Sequence, residues 1–187
     1  MKLIAQIDMD CQQMDRYFHK LFIMLQEARA DDKDAPIEVH DYDANFSQAT
    51  YHSISHFIKP DMIMNIYSLI DFWMDKICEY QRKKKNLSLG SKDIKGKSEL
   101  HARHKYLTAY ANLNLSSVQD SYKRLDELRK VRNTFIHGGG HVPGDREREF
   151  SAITGIVLSG SLINIDDSFI WSTLEHAKKY LQTAILA

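Results

Sequence analysis

Cysteine is nearly absent: Cys11 and Cys78 are the only two in 187 residues, and they stand too far apart to form a metal or redox motif. They read as small buried apolar side chains in a reducing compartment. Three prolines and eight glycines are too few for a turn-rich all-β fold. No window approaches 18 consecutive apolar residues, so no membrane span is expected. The opening MKLIAQIDMDCQQMD turns acidic within ten residues and has neither an apolar stretch nor a cleavage site. No signal peptide is therefore expected, and the expected location is the cytoplasm. Charge of either sign is not in excess: 25 Lys and Arg face 25 Asp and Glu. No global field draws the chain to nucleic acid, so any RNA contact must be a local patch.

What is present is helical periodicity. A hydrophobic fraction of 43% over this length suits one domain, residues 1–187. Leu3, Ile7, Cys11, Met14, Phe18, Leu21 and Leu25 recur at steps of three and four, predicting a helix over 2–29. An acidic loop follows, Ala30 to Asp43, so 1–43 forms an N-terminal helix and loop and 44–187 a helical core. A second helix is expected over Ala44–Ile58, with Phe46, Ala49, Ser53 and Phe57 inward. Pro60 suits the first turn of a third, whose stripe is Met62, Ile66, Leu69, Ile70, Trp73 and Ile77. Asn86–Lys97 reads as a loop and Ser98–Ala111 as a short helix. Another helix begins near Ser117, with Ser116 or Ser117 as its cap, and stops at Gly138-Gly139-Gly140 after His137. Alternation over 154–166 around Ser159-Gly160 predicts a β-hairpin, and Trp171–Leu186 a closing helix.

On a wheel at about 100° per residue, Val118, Tyr122, Leu125, Leu128, Phe135 and Ile136 of the Ser117–His137 helix share one side. Arg132 falls inside that arc, where a charge is costly unless paired. Asn133 and His137 lie at its edge, four residues apart and therefore neighbours. A plain reading pairs Arg132 with Asp71 or Asp75 on a facing helix and leaves His137 to cap the last carbonyls. Three features point elsewhere. His137 sits where the helix dipole favours a cation. Three glycines follow it, clearing space for another backbone. Asn133 both donates and accepts hydrogen bonds.

Arg132-Asn133-x-x-x-His137, within LDELRKVRNTFIHGGG, resembles the R-x(4–6)-H signature of the HEPN superfamily. The resemblance covers roughly residues 44–186 in architecture and the motif helix in detail. It implies a mainly α fold, an antiparallel helical bundle of the HEPN type, with the small β-hairpin near the C-terminus as an addition. It further implies a homodimer that joins two motifs, and a metal-independent endoribonuclease of toxin–antitoxin or defence type with no cofactor. Arg132 would then stabilise the scissile phosphate. His137 would act as base and acid toward the 2′-hydroxyl and the leaving oxygen, Asn133 would orient its neighbours, and the product would be a 2′,3′-cyclic phosphate. The chain departs from one subgroup in lacking a tyrosine two residues after the histidine, which weakens the expectation of an antitoxin partner of nucleotidyltransferase type. An antitoxin or another protein partner, and a non-catalytic HEPN-like module for RNA or protein binding, stay open.

From Arg82 to Lys105 nine basic residues face two acids, whereas the first fifty residues carry ten acids and five bases. Lys83, Lys84 and Lys85, with Arg129 and His141, are therefore candidate RNA contacts. A solvated helix end is the competing reading. Tyr106 and Tyr110 either stack on bases or fill a core. His101, His104, His137 and His141 have spacings compatible with a metal, but no cysteine or carboxylate stands at a fixed offset, so none is assigned. The Gly138–Gly144 stretch is followed by no Walker pattern and reads as a loop.

Overall fold

In the computed structural model the described residues are 2–31 and 41–187, with side chains described for 2–27 and 57–187. Helix α1 spans Lys2–Asp31. Its repeat places Ile7, Cys11, Phe18 and Leu25 in the core, with Leu3, Met14 and Leu21 packed against it. Helix α2 spans Asp41–Lys84 with Pro60 inside it. The two helices expected on either side of Pro60 are thus one. Proline's fixed φ is itself helical, so a chain that is helical on both sides can pass through at the cost of a hydrogen bond. Phe57, expected inward, is 72% exposed. The side chains of Phe46, Ala49 and Ser53, and most of the expected Ala30–Asp43 loop, lie outside the described residues. Below Pro60 the predicted stripe holds, with Met62, Ile66, Ile70, Trp73 and Ile77 buried.

Helix α3, Glu99–Lys105, is capped by Ser98, whose hydroxyl accepts from the His101 amide at 3.3 Å. It runs on as a wider π turn through Tyr106–Tyr110. Helix α4, Gln119–Gly138, is entered through a 3-10 turn at Ser116–Val118 and has no side-chain cap. The cap expected at Ser116 or Ser117 is not formed: Val118 precedes the first residue of α4, and the Ser116 hydroxyl donates to Asn114 Oδ1 at 2.7 Å. A five-residue helix α5, Glu147–Ser151, is too short for periodicity to announce. Strands β1 (Ile156–Ser159) and β2 (Leu162–Ile165) pair antiparallel, Ile156 opposite Ile165, as the alternation predicts.

Helix α6, Asp167–Leu186, starts four residues before its expected position, because Phe169 and Ile170 already enter the core. It packs on α1, α2 and α4. Lys178 and Gln182 of α6 reach Asp8 of α1 at 3.2 and 2.6 Å, and the Trp73 indole of α2 donates to Asp10 at 3.0 Å. With α6 as a common support, α2 and α4 also pack on each other and α3 packs on α2. Among the described residues no helix is long and apolar enough to cross a membrane.

Candidate functional site

The buried face of α4 begins at Ser121 and Leu125, then advances in steps of three: Leu128, Val131, Thr134. Three residues cover about 300°, so each step turns the stripe back by about 60°. By the last two turns it has wound roughly half-way round the helix. Arg132 overlies the apolar arc in projection, but at its own level the arc has moved off. It is half-buried and lines a cleft. Ile136, expected on the apolar side, is 45% exposed for the same reason.

The cleft is open, about 830 Å³, and lies between α2, α3 and α4. Tyr67, Ser68, Asp71, Phe72, Asp75 and Lys76 come from α2, Glu99 and Arg103 from α3, and Arg129, Arg132, Asn133 and His137 from α4. Lys92 and Ser98 close it. Five lysines and arginines thus face three carboxylates, which leaves the lining net positive and suited to an anion.

Two of these cations, Arg103 and Arg129, are already matched by carboxylates. Asp71 receives a close hydrogen bond from Arg103, whose guanidinium also lies 3.7 Å from Glu99. The Asp71 carboxylate is therefore held by Arg103, correcting the expectation that it supports Arg132. Arg129 Nε donates to Asp126 at 2.8 Å. Against the effect of burial, that bond, together with Lys130 and His101, holds the Asp126 carboxyl below its ordinary range.

Arg132 has no such partner among the described residues. Its guanidinium lies 4.9 Å above the Tyr67 ring, and Nη1 donates to Asn133 Oδ1 at 3.0 Å. Both contacts orient the cation without neutralising it. Burial, and then the Asp71 carboxylate, push the Tyr67 phenol up, while Arg132 pulls it down. The Asn133 side-chain oxygen thus faces the Arg132 guanidinium.

His137 stands exposed in the last turn of α4, at the mouth of the same cleft. The glycines after it serve the chain itself. Gly139 N–H bonds Phe135 O at 3.1 Å, Gly140 N–H bonds Thr134 O at 3.2 Å, and Gly140 O accepts from Ile163 N–H at 2.9 Å. The backbone that takes the space expected beside these glycines is, at Gly140, the chain's own strand β2.

The other candidates scatter. His141 shares a hydrogen bond with Ser161 Oγ at 2.9 Å and is absent from the cleft lining. Lys83 pairs with Glu79 at 3.3 Å, Lys84 sits 5.9 Å over the Tyr80 ring, and Lys85 donates to the Ala111 carbonyl. All three lie at the far end of α2, about 20 Å along the helix from Asp71 at 1.5 Å per residue. Tyr106 is buried, whereas Tyr110 is 42% exposed. His101 and His104 turn inward, His104 stacking on Tyr122 with ring centroids 3.7 Å apart. No cluster of three His, Cys, Asp or Glu among the described residues is arranged to hold a metal.

Tyr67, Phe72, Lys76 and Lys92 were not singled out from sequence. One signal bears on the first: Tyr67, Ser68, Asp71 and Asp75 form a polar row at helical spacing beside the apolar stripe of α2. Chemically, the cleft offers a pre-oriented guanidinium to a phosphate and an exposed imidazole to a transferable proton. Compared with known proteins, the chain matches no family model, no curated protein and no solved structure.

Proposed function

We propose that this chain binds and cleaves RNA through the Arg132–His137 end of α4, as a homodimer of HEPN kind with two such ends at one site. The observation that carries the reading is Arg132: a half-buried cation facing an open cleft, oriented by Tyr67 and Asn133, with no carboxylate of the described chain upon it. Arg103 and Arg129 in the same cleft are matched internally, so Arg132 is the cleft arginine left for a phosphate. The mainly helical architecture and the place of the motif at a helix end agree with the HEPN resemblance.

In this reading the 2′-oxygen loses its proton to His137 of one copy and attacks phosphorus. The bond to the 5′-oxygen breaks, His137 of the other copy protonates that oxygen, and a 2′,3′-cyclic phosphate remains. Arg132 holds the non-bridging oxygens as their charge grows.

The test is cleavage of a labelled RNA pool in excess chelator. His137→Ala is expected to lower the rate by about 10²–10⁴-fold, the usual worth of a positioned acid–base group, and Arg132→Ala comparably. Both variants should keep the parent's melting temperature and its dimeric mass by light scattering. Parent-like cutting by both variants overturns the assignment. One observation favours a non-catalytic RNA-binding module: no described side chain orients His137, whereas efficient bases are usually held by a third group. That reading predicts RNA binding that depends on Arg132 with no cleavage product.

A further inference from the structure

We propose that Phe72 is a base-stacking platform, so that the cleft takes single-stranded RNA with a base on Phe72 and the adjoining phosphate on Arg132. This rests on the RNA reading above and names the form of RNA and the residue that selects it.

A half-exposed phenylalanine is ordinary by itself. Phe72 is 51% exposed, and its surroundings set it apart. Its neighbours in the cleft are almost all charged or polar, and they include Arg132 and His137. Its ring is braced edge-to-face by Trp73 at 5.3 Å and 81°, and Trp73 is anchored in turn by its bond to Asp10. The ring is therefore presented rigidly from the core. Lys76, one turn on, holds its ammonium 5.4 Å over the ring. A base arriving on that face displaces a flexible cation, which is then free to follow the strand's phosphate.

The pattern repeats along α2. Tyr80 is 37% exposed, and Lys84 lies 5.9 Å over its ring. Phe72, Lys76, Tyr80 and Lys84 thus form one row at four-residue steps. Its two rings are about 12 Å apart along the axis. The row leads from the cleft rim toward the basic end of α2, giving a strand a stacking surface and a line of cations to track.

The geometry favours single strands. A ring can stack on a base only where the base face is free, whereas a duplex offers edges and phosphates. The cleft, about 830 Å³, is of the size of small-ligand pockets, about 300–1,000 Å³, which has room for a base and its adjoining phosphate. A protein partner inserting an apolar anchor at Phe72 would have to bury the neighbouring Lys76 and Arg132 charges unmatched, which disfavours it.

The experiment measures anisotropy of an end-labelled, unstructured RNA of about twelve nucleotides and of the same RNA as a duplex. The protein carries His137→Ala so that the RNA survives. Added Phe72→Ala is expected to weaken single-strand binding on the order of tenfold, Phe72→Tyr to stay within about twofold, and the duplex to be unaffected by either. Added Lys76→Ala should lower the salt slope by about one, which Phe72→Ala should not. Circular dichroism confirms the fold of each variant. The base site is overturned if Phe72→Ala binds the single strand as tightly as its parent, or loses strand and duplex alike. If RNA binds through Arg132 while Phe72→Ala is neutral, the base site alone falls. If no RNA binds and Arg132→Ala changes nothing, the RNA reading falls with it.

Discussion

Arg103, Arg124 and Arg129 each lie within 3.2 Å of a carboxylate, and each is mostly buried. Arg132 is half-buried beside them and has an aromatic face and an amide instead. A carboxylate would have neutralised it; Tyr67 and Asn133 leave its charge available. Gly140 fixes the other end of the motif. Its φ is +89°, and a Cβ there would stand 2.8 Å from Phe135 Cε1 and 3.3 Å from Leu162 Cδ1. Gly140→Ala is therefore expected to cost about 1–3 kcal/mol, from backbone strain and overpacking together. Gly138, with nothing within 4 Å of a Cβ, should accept alanine within about 0.5 kcal/mol. Thermal melts of the two variants check this, and equal melting temperatures would sink it.

Helices expose the limits of a flat projection. A wheel discards position along the axis, so it suits a straight stripe and misreads one that winds. On α4 the steps from Leu125 to Thr134 turn the stripe away from Arg132, which is what opens that residue to the cleft. On α2 the basic end reads as a phosphate strip but is partly architectural. The Lys85 ammonium closes onto the Ala111 carbonyl at the end of the π turn that follows α3, joining two elements. Lys85→Ala should lower stability in urea by about 1–3 kcal/mol, the worth of a charge-assisted bond. Lys83→Ala and Lys84→Ala, exposed like Lys85 but tied to no other element, should stay within about 0.5 kcal/mol. A Lys85→Ala protein as stable as the parent would show that this bond does not join them.

For the molecule as a whole, α3, α4 and α6 meet at a buried aromatic cluster. His104 of α3 stacks on Tyr122 of α4 and shares a hydrogen bond with the Tyr180 hydroxyl of α6 at 2.7 Å. Burial pushes His104 down to about 4 and Tyr122 up to about 12. The linkage follows from the sign. Unfolded, His104 takes a proton near its ordinary 6.5, while in the fold it stays neutral until about 4. In that window the unfolded state binds more protons, so stability is full above pH 6.5 and falls as the pH drops toward 4. His101 is lowered too, first by burial, and adds to the same trend. Glu149, held down first by its bond to Lys130, begins to lose its contribution only from about 4.5 downward. Melting temperature against pH should therefore slope upward between 4.5 and 6.5, less steeply in His104→Phe. An identical slope in that variant would remove His104 from the account.

The sequence alone determined the mainly helical class, the limits of α1, the inward stripe of α2 below Pro60, the hairpin and the glycine stop after His137. Each rests on local rules: a repeat of 3.6 or 2 residues, or a residue that can adopt positive φ. It also placed Arg132, Asn133 and His137 at one helix end, with Asn133 and His137 side by side because residues four apart along a helix are neighbours whatever surrounds them. Tertiary structure decided the rest. Whether a helix passes through Pro60 depends on what lies on both sides of it. Which carboxylate takes which arginine depends on distances between elements far apart in sequence, such as Asp71 and Arg103. Tyr67 and Phe72 join the cleft only because α2 packs against α4. The backbone beside Gly140 is the chain's own because β2 folds back onto it. Charge matching and packing act across space, so only the tertiary structure separates Arg132 from Arg103 and Arg129, the two cleft arginines held by carboxylates.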